Sequence, residues 1–346
     1  FSRRCPLAML GAGSLPRLQP LGKSISMRNG FCMFLSSAIL LAGAAPGLSA
    51  QGEALSCTGA RTAPVAIDTT ALFRDLYALA DDSMQGRGFG TPGGARARAY
   101  LVRRLAQIGV DSFPRGRLQP VVLQKADQRL EGANIIGVVP GTDTSGPVIV
   151  LTAHYDHLGV RDGQIFNGAD DNASGSSALL AAADYFRRHR PRHTIVLALF
   201  DAEETGGFKG SRTFVADPPV ARERLGMNIN LDMISRSPNG ELYVVGPAHR
   251  PALRDLVASI ACSAPVKLML GHDKGASASD DWTSQSDQVA FHEKGIPFLY
   301  FGVEDHPDYH RPTDDPEKVD RGFFVGAVQA TIAAVEAADR AVDGKR

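Results

Sequence analysis

Apolar runs that alternate with helical patterns constrain this chain more than any other feature. "NIIGVVP" (134–140), "PVIVLTAH" (147–154), "TIVLALF" (194–200), "MNINLDM" (227–233), "ELYVVG" (241–246) and "PFLYFG" (297–302) each read as a strand. Around them, residues 69–80, "ARARAYLVRRLAQIG", "NASGSSALLAAADYFRRH" (172–189), 250–261 and the stretch from about Arg321 read as helices. In the second of these, Ala97, Leu101, Leu105 and Ile108 share one face and Gly109 is the stop. Near-continuous apolar strands are strands buried on both faces. The pattern therefore predicts an α/β fold, a doubly wound, mostly parallel sheet with helices on both faces. The first two strands are expected to be neighbours joined by the turn "GTDTSG". Sheets of this kind carry their sites in the crevice beyond the carboxyl ends of the strands.

Not all of the 346 residues belong to that pattern. From Met27, "MRNGFCMFLSSAILLAGAAPGLSAQG" has a short basic start, an apolar run from Phe31 to Ala45, and small residues up to Ala50. That is the form of a secretory signal peptide over 27–50. The run falls short of the about 20 residues that span a bilayer. The expectation is export to the periplasm or the extracellular space, with no stable span after cleavage; a retained N-terminal anchor is the alternative. Residues 1–26 read as an unstructured upstream extension, 51–68 as a linker and 69–346 as a single domain. Basic and acidic residues number 37 each, and no basic block argues for nucleic acid. Of four cysteines, Cys57 and Cys262 lie beyond the signal, and an oxidising compartment would permit a bridge between them.

The expected strand ends are rich in one kind of chemistry. "VLTAHYDHLG" supplies His154 and Asp156, "NGADDNASG" Asp170 and Asp171, and "ALFDAEETGG" Glu203 and Glu204. "NINLDMIS" adds Asp232, and "EDHPDYHRPTDD" adds His306 and His310. Each taken alone fits a solvated strand end, because charged residues are mostly exposed. Together they would repel one another unless a cation were present. A mixed set of His and Asp/Glu without cysteine suits zinc or a similar divalent ion.

The ordered set H-x-D, G-A-D-D, E-E, L-D-M and a late histidine followed by T-D-D resembles the zinc aminopeptidases of the M28 peptidase family. The resemblance runs from about residue 70 to the C-terminus and includes "GRGFGTPGG" and the helix after it. It implies two divalent metal ions, zinc first among them. His154 and Asp232 would bind one, Glu204 and His310 the other, with Asp171 bridging both. Asp156 would hold the His154 ring from behind, and Asp287 of "QSDQ" the His310 ring; the family more often has S-D-H there. Glu203 is then the candidate general base, because its neighbour is committed to metal. The implied activity is removal of N-terminal residues from peptides with a free N-terminus.

Rival readings are a metallocarboxypeptidase or deacylase of the M20 type, a single-zinc glutaminyl cyclase, and a non-catalytic binding module. The M20 type carries an inserted domain for which the span from Asp232 to His310 has no room. The cyclase branch lacks the first metal histidine, present here as His154. A dead module would show eroded ligands, and none of these positions is eroded. Among the remaining groups, His157 is expected to point into its loop, His306 to yield to His310, and Asp170 to shape the turn that aims Asp171. Trp282 is read either as a wall of the first-residue pocket or as packing. The sequence leaves the oligomeric state open.

Overall fold

A computed structural model describes residues 52–275 and 280–342. The segments read as upstream extension and signal peptide lie outside these residues. Strands occupy β1 (Glu53–Ala54), β2 (Leu118–Lys125), β3 (Gln128–Val139), β4 (Val148–His154), β5 (Gly159–Arg161), β6 (Gln164–Phe166), β7 (Ile195–Phe200), β8 (Leu225–Leu231), β9 (Glu241–Val245), β10 (Lys267–Leu270) and β11 (Phe298–Gly302). Helices are α1 (Thr69–Leu79), α2 (Pro92–Ile108), α3 (Gly175–Arg188), α4 (Glu203–Gly206), α5 (Lys209–Ala216), α6 (Ala252–Ile260), α7 (Gln288–His292) and α8 (Arg321–Ala341). Nine strands form one sheet in the order β1-β10-β9-β11-β8-β4-β7-β3-β2, while β5 and β6 pair separately.

Alternation along the strands explains the layers. Ile149, Leu151 and Ala153 of β4 and Ile195, Leu197 and Leu199 of β7 enter the core shared with α1, α2, α3 and α8. The intervening Val148, Val150, Val196, Ala198 and Phe200 enter the opposite core, against Phe214 of α5 and Phe291 of α7. Successive residues of a strand face opposite ways, so a strand covered on both sides must be apolar throughout. Helix ends follow local chemistry. Thr91 accepts from Gly94 N ahead of Pro92, and Gly109 closes α2 at φ 81°. Asp320 accepts from Gly322 N and Phe323 N at the start of α8.

The parallel heart of the sheet is β7-β4-β8-β11. Its margins run antiparallel at β3 and β2 on one side and between β11 and β9 on the other, so the sheet as a whole is mixed. One expectation is corrected: β3 and β4 are not neighbours, because β7 lies between them. Parallel strands need a crossover, and α3 carries the chain from the end of β4 back to lay β7 alongside it. The hairpin partner β2 and the short β10 gave no readable pattern. Only Val121 of β2 is buried, and β10 has four residues.

The segment expected as a linker is tied down twice. Glu53 and Ala54 pair with Leu270 and Met269, and Cys57 is disulfide-bonded to Cys262 just beyond α6. Among the described residues, no helix is long and apolar enough to cross a membrane. Replacing both cysteines by serine is expected to lower stability by about 2–4 kcal/mol, since the bridge closes a very long loop. The check is denaturant unfolding with and without reductant; reductant should lower the midpoint of the native chain and leave that of the double variant unchanged.

Candidate metal centre

The parallel heart delivers its chemistry to one edge. His154 is the last residue of β4, Asp232 follows β8 directly, and Glu203 and Glu204 open α4 just after β7. Asp171 lies in the turn Ala169–Ser174 that leads into α3, and His310 lies in the loop after β11. These side chains line a cleft of about 320 Å³, walled on its apolar side by Phe208, Met233, Trp282, Tyr300 and Val303.

Asp171 stands between two groups of donors. Its Oδ1 is 3.4 Å from His154 Nε2, which is 3.2 Å from Asp232 Oδ1. Its Oδ2 is 3.1 Å from His310 Nε2, which is 3.2 Å from Glu204 Oε2. Bonds of about 2.0–2.1 Å at tetrahedral angles would set two ligand atoms of one ion about 3.3 Å apart. The donor spacings match that distance on both sides of Asp171, so the residues fit a divalent metal ion at each.

Main-chain contacts hold Asp171 in place. Asp314 accepts from Asp170 N and Asp171 N at 3.1 Å, and Asn172 bridges Leu231 O and Gly175 N at 2.8 Å each. Asp170 is structural, as expected: it accepts from Ser235 N at 2.7 Å and meets His306 Nε2 at 3.1 Å, which removes His306 from the cleft chemistry. Four non-glycine residues beside the centre adopt left-handed backbone, Ala202 (φ 61°), Phe208 (φ 62°), Met233 (φ 55°) and His310 (φ 53°). Such conformations cost on the order of 1–3 kcal/mol each and persist where the surroundings over-determine them.

Three readings of the sequence are corrected. The His154 ring is held by the main chain of Asp156, whose carbonyl accepts from Nδ1 at 3.0 Å, with the carboxylate 3.8 Å away. That carboxylate instead accepts from Glu203 N at 3.1 Å and Glu204 N at 3.3 Å, capping α4 where its first N–H groups lack partners. Asp287 does not hold His310. It is fully buried and neither oxygen has a hydrogen-bond partner; the nearby Ser211 hydroxyl donates to Phe208 O instead. His157 does not point into its loop but is buried against Glu204, with Nδ1 2.7 Å from Oε1. Trp282 packs at 3.8 Å on His272 and lines the cleft.

The two adjacent glutamates are driven apart. Burial pushes the Glu203 carboxyl well above the usual range; His154 opposes this, and Glu204 and Asp232 add to it. Burial would raise Glu204 too, but His157 and His310 hold it well below the usual range.

Beneath the centre lies the arginine of the glycine-rich stretch, to which the sequence reading gave no role. Arg87 is fully buried and donates to five carbonyls, those of Tyr155 (2.8 Å), Leu79 (2.9 Å), Asn167 (2.5 Å), Gly168 (2.8 Å) and Asp171 (3.4 Å). Burial lowers its pKa to about 10, against the pull of Asp171, Asp314, Asp156 and Glu204, so it remains a cation at neutral pH. The glycine-rich stretch around it packs closely on neighbouring main chain. Gly86 has φ 61°, and a Cβ there would stand 2.4 Å from Phe166 O.

Residues 134–335, well over half of the chain, match Peptidase family M28. Aminopeptidase YwaD of Bacillus subtilis is 32% identical over 222 residues, covering 61% of this chain and 46% of that protein. The chain thus aligns with less than half the length of that relative. The Legionella pneumophila LapA aminopeptidase structure superposes with a TM-score of 0.62 at 20% identity, covering 80% of this chain and 72% of the other. The Porphyromonas gingivalis glutaminyl cyclase structure gives 0.64 at 20%, covering 78% and 98%. At such identities the two structures speak for the fold alone.

Arg87→Lys keeps the charge but cannot reach five carbonyls from one nitrogen. It is expected to cost at least about 2 kcal/mol, because buried carbonyls are left unpaired. A urea midpoint unchanged from the native chain would show that the guanidinium fork is dispensable.

Proposed function

The chain belongs to peptidase family M28, and from that premise we propose that it is a metal-dependent exopeptidase that removes N-terminal residues from peptides. One observation carries the reading: the two oxygens of Asp171 face two separate donor groups, each with ligand spacing. His154 and Asp232 would hold one ion, Glu204 and His310 the other, and Asp171 would bridge them. Zinc is the first choice for such donors. When bound, two ions there would supply Lewis acidity toward a scissile carbonyl and an attacking water.

The protein's own groups would do the rest. Glu203 lines the cleft beside the metal donors and makes no metal contact in this assignment, so its carboxylate is free to take a proton from water. The proton it takes from water can then pass to the leaving amine. Glu304 and Asp305 extend the acidic lining at the mouth of the cleft. A protonated α-amino group complements this charge and an acetylated one does not, which supports cleavage at the first peptide bond. The apolar wall of Phe208, Met233, Trp282 and Val303 would receive the first side chain. We read residues 69–346 as one peptidase domain, and the disulfide supports export, since such bonds persist in oxidising compartments.

The decisive assay gives the zinc-supplemented protein one free peptide and its N-acetylated twin, followed by mass spectrometry. Stepwise shortening of the free peptide alone is expected; equal cleavage of the blocked twin would overturn the aminopeptidase reading. Glu203→Gln should keep both ions by elemental analysis while kcat falls by about 10²–10⁴-fold. A near-normal kcat would remove Glu203 from its role as base. Asp171→Ala should lose metal from both positions, and two ions retained per chain would contradict the bridge.

A further inference from the structure

His157 has no part in the reaction described so far, yet its imidazole is fully buried in the centre. Nδ1 lies 2.7 Å from Glu204 Oε1 and 3.7 Å from Asp171 Oδ2, while Nε2 is buried with no hydrogen-bond partner. The ring has a place made for it. Gly168 sits at φ 56°, and a Cβ there would come within 2.4 Å of His157 Cδ2. Arg87 fixes the backbone on both sides of that gap through Tyr155 O and Gly168 O. An apolar ring would fill the same space without stranding a buried nitrogen, a burden that native structures seldom carry without a reason.

Two roles are open to this ring: a share, with Asp171 and Glu204, in one metal ion, or a hydrogen bond to Glu204. Atoms that share one tetrahedral ion stand about 3.3 Å apart, as do the contacts of His154 and His310 with their carboxylates. The 2.7 Å between His157 and Glu204 is shorter than that and matches a charge-assisted N–H···O bond. A carboxylate has no proton to give, so the ring must donate from Nδ1.

We propose that His157 is the positioning residue of Glu204: its Nδ1–H holds Oε1 and so turns Oε2, the oxygen beside His310, toward the second metal position. The proposal rests on the assignment of Glu204 as a metal ligand. Glutamate needs such a hold more than aspartate does. Asp171 is on a short stem pinned through its main chain, whereas Glu204 carries its carboxylate on a longer stem with more torsions to order. The usual arrangement places a carboxylate behind a metal histidine; here a histidine stands behind a metal carboxylate.

The test compares His157→Asn with His157→Gln. The asparagine amide can reach the place of Nδ1 and donate to Oε1; the glutamine amide reaches instead toward the place of Nε2. Metal binding is read on the folded, full chain by titrating zinc against a chromophoric chelator, and the cobalt-substituted protein is read by its visible spectrum. His157→Asn should bind both equivalents within about threefold of the native chain and keep the cobalt spectrum. His157→Gln should weaken one equivalent by about 10–100-fold, the usual cost of losing a group that orients a ligand, and leave the other intact. Loss in both variants would make the ring itself a ligand and overturn the proposal. Retention in both, or loss in the asparagine variant alone, would overturn it as well. Glu204→Gln is measured alongside. If it still binds two equivalents as tightly as the native chain, the assignment of Glu204 has failed, a result distinct from failure of the His157 role.

Discussion

Asp171 offers one oxygen to His154 at 3.4 Å and the other to His310 at 3.1 Å, and the loops around the cleft are arranged to keep it between them. Five acidic side chains, Asp156, Asp171, Glu203, Glu204 and Asp232, meet at the end of a buried sheet, where burial and neighbouring carboxylates push the Asp156 and Glu203 carboxyls well above the usual range. Such a cluster survives only with compensation. Part of it is built into the chain, as main-chain N–H groups aimed at Asp156 and Asp314 and as the buried cation Arg87. In our proposal, divalent ions on either side of Asp171 would supply the remainder.

The sheet makes this cluster possible because its central strands are parallel. Four strands running the same way end at the same edge, so His154, Glu203, Glu204 and Asp232 arrive together despite long separations in sequence. The turn before α3 and the loop after β11 then need only close over that edge. Strain gathers in the segments after β7, β8 and β11, with left-handed backbone at Ala202, Met233 and His310. Rigid strands supply position, and irregular segments aim the last bond of each side chain. The second tier of contacts follows the same logic: Asp314 aims Asp171, Asp156 aims α4, and in our proposal His157 aims Glu204.

Much of this was legible in the sequence. The near-continuous apolar runs and their helices predict the doubly wound core, and the acids and histidines at the run ends predict where the centre lies. The same text was silent on β2, which is largely solvent-facing, and on β10, which is too short for a period to emerge. It also hid Arg87. An arginine in a glycine-rich stretch looks like surface, and only the approach of Tyr155, Asn167 and Gly168 shows it to be a hub.

What the sequence determined by itself was the inventory and its order: which residues end which strands, and hence which chemistry reaches the sheet edge. Hydrophobic periodicity is local and survives being read in one dimension. Tertiary structure alone decided which atom of each residue is used. It set the carbonyl of Asp156 rather than its carboxylate on His154, left Asp287 without a hydrogen bond, and turned His157 inward to Glu204. Those choices depend on distances of a few tenths of an ångström between segments far apart in the chain, and such distances exist only once the whole core has packed.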